Sequence, residues 1–221
     1  EKSGAEVLAV KCDVSVEKDC LHLIEEAIKK FGQLDVLINN AGISMRALFE
    51  KTELSVIKNV MDINFWGCVY CTKYALPHLL KTKGSVVGIS SIAGYVGLPG
   101  RTGYSASKFA MHGYLEALRT ENREKELHVL IACPGFTASN IRNVALVEDG
   151  TSQGESPRTE EKMMSAEEVA EHLYISIKNR KQTLVLTTEG RLAVFLSKWM
   201  PKTLQKMVFN KMKREPDSPM Q

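Results

Sequence analysis

The 221-residue sequence lacks any run of about 18 apolar residues, so no helix long enough to span a bilayer is expected. It also lacks a charge imbalance. With 29 Lys and Arg against 26 Asp and Glu, the formal net charge is +3, and aromatics are only 7% of residues. No basic stretch alternates with stacking aromatics, so a nucleic-acid surface is not expected. A disulfide framework is missing too. The five cysteines (Cys12, Cys20, Cys68, Cys71 and Cys133) are odd in number and irregularly spaced. They read as reduced thiols in a reducing compartment such as the cytoplasm. Cys68 and Cys71 form a C-x-x-C, but no second pair follows and none of the five histidines stands at ligand spacing. The pair reads as two small apolar residues on a buried helix, and no metal site is expected. The sequence does not open with Met, and its first residues read like the tail of a helix entering a strand. The natural N-terminus is expected to lie upstream, so a targeting signal cannot be judged.

What is present is an ordinary globular composition, 44% hydrophobic and 25% charged, with no internal repeat or low-complexity block. Apolar runs alternate with helical patterns. Residues 7–10 are short and β-branched, and read as a strand. Leu21, Ile24, Ala27, Ile28 and Phe31 have helical spacing over residues 17–31, with Gly32 as a stop. Residues 35–39 (DVLIN) read as a buried strand, 53–80 as two helices, 85–90 as a strand and 102–124 as a helix. Residues 127–133 read as a strand ending at Pro134-Gly135, and 183–187 as a last strand. Ser165 and Glu168 form a capping box for a helix over 166–178. Alternating helices and near-continuous apolar strands imply an α/β fold with a parallel sheet covered on both faces.

In such sheets ligands sit at the carboxyl ends of the strands. Those ends carry Cys12-Asp13-Val14, Asn39-Asn40-Ala41-Gly42, Ser90-Ser91 and Cys133-Pro134-Gly135. Small, polar and glycine-containing residues there allow close backbone approach by a flat cofactor. Tyr104 and Lys108 stand four apart, on one helix face. A nearby ammonium favours the phenolate, so Lys108 is expected to lower the Tyr104 pKa. Tyr104 can then exchange a proton with an alcohol or carbonyl. Ser91 can hold the reacting oxygen by a hydrogen bond.

Together these pieces resemble the short-chain dehydrogenase/reductase family in its single-domain branch. The matching segments are CDV at 12–14, NNAG at 39–42, Asn64 in MDINFWG, GSVVGISSIAG at 84–94, YSASK at 104–108 and PG at 134–135. The resemblance covers residues 7 to about 188. It implies a doubly wound, Rossmann-type sheet and an NAD(P)-dependent interconversion of carbonyl and alcohol. It assigns Ser91 to the substrate oxygen, Tyr104 to general acid/base work, and Lys108 to the cofactor ribose. Asn64 becomes the holder of a relay water. Asp13 and Val14 would lie by the adenine ring, and Asn40, Ala41 and Gly42 along the cofactor. Pro134 and Gly135 would face the nicotinamide. Ser139 stands where the family often has Thr, and Thr137 is a second candidate for the carboxamide. The family's opening G-x-x-x-G-x-G turn is absent, so the fold is expected to be N-terminally incomplete. The strand end that chooses between NAD and NADP is absent with it, and NADP is carried slightly ahead. The Y-x-x-x-K spacing sets the chain apart from enoyl reductases. The family also implies a homodimer or homotetramer through helices near 62–82 and 102–124.

Residues 136–164 occupy the place of the family's substrate loop. Their apolar edge suits a lid, and their polar stretch suits a mobile surface loop. Residues 94–100 form the other expected pocket wall, with Tyr95 and Leu98 toward an apolar substrate. Residues 1–190 are read as the catalytic domain and 191–221 as its amphipathic basic tail, bent at Pro201. Lys198, Lys202 and Lys206 are expected on one face. Three roles stay open for the tail: peripheral membrane contact, a cap on a lipophilic pocket, or packing on the domain or a sister subunit. Residues 215–221 are expected to be disordered. The tail resembles that of hydroxysteroid- and retinol-type dehydrogenases, which favours an apolar substrate. A 3-oxoacyl-thioester reductase and a non-catalytic dinucleotide-fold scaffold are the alternatives.

Overall fold

The computed structural model describes residues 4–135, 137–154, 163–215 and 218–220. The elements in chain order are α1 (Glu17–Phe31), β1 (Val36–Asn39), α2 (Leu54–Met61), α3 (Gly67–Thr82), β2 (Ser85–Ile89) and α4 (Thr102–Glu121). They continue with β3 (His128–Cys133), α5 (Ala166–Lys178), β4 (Thr183–Val185), α6 (Thr188–Trp199) and α7 (Pro201–Lys213). The four strands form one parallel sheet in the order β1-β2-β3-β4. The fold is α/β with a parallel sheet, and no reversal of strand order occurs among the described residues.

The sequence explains most of these elements. Gly32 closes α1 in the left-handed region (φ 79°), where it returns its N–H to Ile28. Ser165 and Glu168 complete a reciprocal capping box at α5. Pro201 stands at the first position of α7, where its missing N–H costs nothing. Between α2 and α3 the chain does not break into two separate helices. Residues Asp62–Trp66 form a π turn that joins them.

The core is built on strand alternation. Val129, Ile131 and Cys133 of β3 pack with Met111, Leu115 and Leu118 of α4. Leu130 and Ala132, which alternate with them, are also fully buried, so both faces of β3 are covered. Gly88 lets α4 approach closely: a Cβ there would lie 2.4 Å from Leu115 Cδ1, so the side chain would have to shift.

Four expectations fail here. Residues 7–10 form no strand, and Val7 is 63% exposed. A strand needs a neighbour for its N–H and C=O groups, and none lies beside it among the described residues. The segment is held instead by Lys30, which donates to the Val7 carbonyl at 2.8 Å. The DVLIN strand is not buried on both sides. It is the edge of the described sheet, and Val36 and Ile38 are exposed while Asn39 is buried. The tail lysines do not share one face. Trp199 ends α6 and Pro201 starts α7, so the four-residue spacing from Lys198 to Lys202 crosses a break. Residues 215–221 are not uniformly loose either, because Glu215 and Ser218 are buried. No helix among the described residues is long and apolar enough to cross a membrane.

Leu115 is fully buried against β2 and β3. Leu115→Ala is expected to lower unfolding free energy by about 3 kcal/mol. Urea denaturation at unchanged slope would check this.

Candidate active site

The carboxyl ends of β1, β2 and β3 meet one face of α4, and the candidate residues gather there. Ser91 follows β2 and caps the short turn Ile92–Gly94, its Oγ accepting the Ala93 N–H at 3.2 Å. Tyr104 lies in the first turn of α4, 8% exposed, and lines the same cavity as Ser91. Lys108 lies one turn further, 4% exposed, and donates to the Ile89 carbonyl at 2.8 Å. Its Nζ is 5.7 Å from the Tyr104 ring centre.

Burial sets the protonation of this group. It pushes the Lys108 ammonium down to about 8. Burial also raises the Tyr104 phenol above its ordinary value, with Ser91 and Arg101 pulling the other way. The expected lowering by Lys108 is not what this structure shows. Lys108 spends its charge on the Ile89 carbonyl, and desolvation dominates at the phenol.

Asn64 is wholly buried inside the π turn. Its Oδ1 accepts the Ile43 N–H at 2.8 Å, and its Nδ2 donates to the Ile43 carbonyl and to Ser107 Oγ. Ser107 Oγ in turn donates to the Tyr104 carbonyl at 2.8 Å. Asn64 therefore braces the segment after β1 against α4. Gly42 fits there because a Cβ would come 3.2 Å from Asn64 Oδ1 and 3.6 Å from Lys108 Nζ.

The proposed cofactor residues divide into two groups. Asn40 and Ala41 are exposed at the end of β1 beside Gly42. Gly135 needs its positive φ of 86° and approaches Thr187 so closely that a Cβ would lie 2.7 Å from Cγ2. Thr137 has a buried Oγ1 with no hydrogen-bond partner among the described residues. Pro134 is half-buried and Ser139 exposed. Asp13 stands apart at the entry to α1. It is exposed, and its carboxylate accepts from Ser15 N and Oγ, which lowers its pKa. Val14 packs on Gly67, where a Cβ would lie 2.8 Å from Val14 Cγ2. An edge stripped of side-chain bulk, with one unpaired buried hydroxyl, fits a flat dinucleotide.

Ser91, Tyr104 and Gly135 open into a cavity of about 640 Å³. Its walls are Ile92, Val96, Leu98, Ile141 and Ala145, and its roof is the tail, through Leu196, Leu204, Met207 and Met212. Of the three roles left open for the tail, the structure thus places it as a cap over this cavity. Tyr95 does not face the cavity; it packs edge-on against the His112 ring, with centroids 4.6 Å apart. The loop is more tied than its polarity suggests. Leu146 pairs with Met45 and Ser152, and Ala145 is buried. Phe136 and residues 155–162 of that loop lie outside the described residues.

Three charged residues complete the cavity wall and were not foreseen. Glu215 Oε2 lies 4.0 Å from Arg46 and 3.8 Å from Arg101, and all three side chains are largely buried. No local pattern marks them, because they come from three distant segments. His112 joins Tyr104 and Lys108 on α4, and its sequence signal is the 104, 108, 112 spacing. Among the described residues no group of His, Cys, Asp or Glu is arranged to hold a metal ion, and all five cysteines are free thiols.

The family pattern described as short chain dehydrogenase matches residues 1–148. The chain belongs to the short-chain dehydrogenase family. It is 43% identical over 145 residues to the 11-beta-hydroxysteroid dehydrogenase-like 4A of Arabidopsis thaliana, covering 65% of this chain and 48% of that protein. It is 33% identical over 192 residues to dehydrogenase/reductase SDR family member 7B of Rattus norvegicus, covering 86% and 59% respectively. The chain thus spans about half the length of the curated relatives it matches. A short-chain dehydrogenase from Streptomyces avermitilis superposes with a TM-score of 0.76 at 23% identity, covering 93% of this chain and 79% of the other. An alcohol dehydrogenase from the archaeon Thermococcus sibiricus, solved with 5-hydroxy-NADP, gives 0.72 at 20%, covering 84% and 75%. These two likenesses concern the fold.

Burial and the charge of Lys108 push the His112 pKa from 6.5 down to about 4. At pH well above 6.5 the ring is neutral in both the folded and unfolded states. As pH falls from there, the unfolded chain takes the proton first, so folded stability is lost until pH reaches about 4. Thermal unfolding across this window should show a steeper loss for the native chain than for His112→Gln.

Proposed function

We propose that this protein is an NAD(P)-dependent oxidoreductase that interconverts a carbonyl and an alcohol on an apolar substrate. The observation that carries this reading is the cavity of about 640 Å³, with Ser91 and Tyr104 in its wall and the apolar face of α6 and α7 above them. A bound nicotinamide dinucleotide would supply or accept the hydride. NADP is the favoured form, NAD the other.

Asn40, Ala41 and Gly42 would hold the cofactor at the end of β1, with Asp13 and Val14 toward its adenine. Pro134, Gly135, Thr137 and Ser139 would flank the nicotinamide, and the buried Thr137 hydroxyl suits the carboxamide. Lys108 would reach the ribose. Ser91 holds the substrate oxygen by its hydroxyl. Tyr104 donates its phenolic proton to that oxygen in reduction and takes it back in oxidation. A ligand that draws the Lys108 ammonium from Ile89 toward the ribose would bring its charge to bear on the phenol and oppose the effect of burial. The Asn64 side chain is committed to Ile43 and Ser107, so a relay water would fall to its backbone carbonyl.

Other expectations gain support of the same kind. Residues 1–190 and the tail are read as one unit, because the tail roofs the cavity. Trp66 and Phe109 are exposed on the π turn and α4, which suits a homodimer or homotetramer. Phe195, Trp199 and Met200 are exposed at the α6–α7 corner beside Lys198 and Lys202, which suits peripheral contact with a membrane. The free thiols suit a reducing compartment such as the cytoplasm.

The test is a fluorescence titration with NADPH and NADH, followed by turnover of a steroid ketone, a retinoid and a 3-oxoacyl thioester. Binding of a reduced cofactor with steroid or retinoid turnover supports the proposal. Preferential turnover of the thioester would make the protein a 3-oxoacyl-thioester reductase. Binding without any turnover would leave a dinucleotide-fold scaffold. Tyr104→Phe is expected to lower kcat by about a thousandfold while cofactor affinity holds. Unchanged kcat in that variant would overturn the mechanism.

A further inference from the structure

Helix α4 carries a third buried polar residue on the face that bears Tyr104 and Lys108. His112 follows Lys108 by four residues, so 104, 108 and 112 lie in one row. His112 is 6% exposed. It has no part in the proton transfer just described, yet three contacts surround its ring. Ser90 Oγ lies 2.6 Å from Nε2. The Gly94 backbone sits against the ring, where any Cβ would come within 2.5 Å of Nε2. The Tyr95 ring meets it edge-on at 4.6 Å.

These three contacts flank Ser91 in sequence, one residue before it and three and four after. A neighbouring thiol closes the arrangement from the sheet. Cys133 Sγ donates to the Ser91 carbonyl at 3.4 Å. Ser91 itself has one side-chain bond to its own turn, through Ala93 N. The position of its hydroxyl relative to Tyr104 therefore depends on how segment 90–95 is seated on α4.

We propose that His112 is a positioning residue: by holding Ser90, Gly94 and Tyr95 it sets the Ser91 hydroxyl against the Tyr104 phenol for the reacting oxygen. This rests on the dehydrogenase reading above. The ring acts as a neutral hydrogen-bonding spacer, since burial and the Lys108 charge keep it unprotonated down to about pH 4. Gly94 belongs to the same device, because a larger residue there would lift the turn away from the ring.

The experiment compares His112→Leu, His112→Gln and Ser90→Ala in the full protein, with phenanthrenequinone and NADPH as probes. His112→Leu keeps bulk and loses the bond to Ser90. Its kcat is expected to fall about 30-fold, with NADPH affinity and the quinone KM close to native. His112→Gln presents an amide in place of Nε2 and is expected to recover most of kcat. Ser90→Ala breaks the same bond from the other side and leaves α4 untouched, so it tests the idea even if His112→Leu misfolds. In a Ser91→Ala background, His112→Leu should cost nothing further. A full additional loss there, or native kcat in both His112→Leu and Ser90→Ala, overturns the proposal. Amide exchange over residues 90–95 gives a readout independent of turnover. It should quicken in His112→Leu and slow again in His112→Gln, and exchange equal to native in both overturns the proposal as well. If Tyr104→Phe also turns over normally, the dehydrogenase mechanism has failed. If only His112→Leu and Ser90→Ala do, the positioning role alone has failed.

Discussion

The close approach of α4 to β2 at Gly88 governs the geometry of this molecule. With no Cβ in the way, Leu115 closes on the strand and the helix lies flat against the sheet. One turn above Leu115 the same helix carries His112, then Lys108, then Tyr104, rising toward the carboxyl end of β2. Lys108 reaches the last carbonyl of that strand, and Ser91 begins just beyond it. A helix set further out would lose all of these contacts together. The catalytic candidates are thus a consequence of packing, and interiors this dense leave little room for adjustment.

Burial then decides the electrostatics. Tyr104 and Lys108 would help one another in water-accessible surroundings, as an ammonium stabilises a phenolate. Here both are desolvated, which disfavours the charged form of each. The site is therefore biased toward the neutral form of each group. Asn64 contributes to this rigidity from the opposite side, tying Ile43 to Ser107 through three hydrogen bonds.

The tail gives the cavity its character. Without α6 and α7 the Ser91–Tyr104 edge would be an open groove. With them it becomes a partly covered space whose roof carries Leu196, Leu204, Met207 and Met212. Two ionic links keep the roof in place: Lys211 to Glu189 between the two helices, and Glu215 to Arg46 and Arg101 on the body of the fold. The second link lies among largely buried side chains. A roof held this way restricts what can reach Tyr104 by shape as well as by polarity.

Much of the architecture was legible without coordinates, because its causes are local. Periodicity gave α1, α4 and α5, the Ser165–Glu168 pair gave a capping box, and Pro201 gave the corner between α6 and α7. The strand-end residues Asn40, Ser91 and Gly135 pointed to one sheet edge, and the spacing of Tyr104 and Lys108 pointed to one helix face. What stayed hidden was non-local. Whether residues 7–10 form a strand depends on a hydrogen-bonding neighbour, and the exposure of Ile38 depends on what covers its face. The Tyr104 phenol was read from its charged neighbour, while burial, invisible in sequence, outweighed it. His112, Arg46, Arg101 and Glu215 gained their meaning only when segments far apart in the chain were brought within a few ångströms. Sequence by itself determined the elements and the chemistry they carry. Tertiary packing decided protonation, enclosure and the partners of each buried charge, since desolvation and contact are properties of the assembled interior.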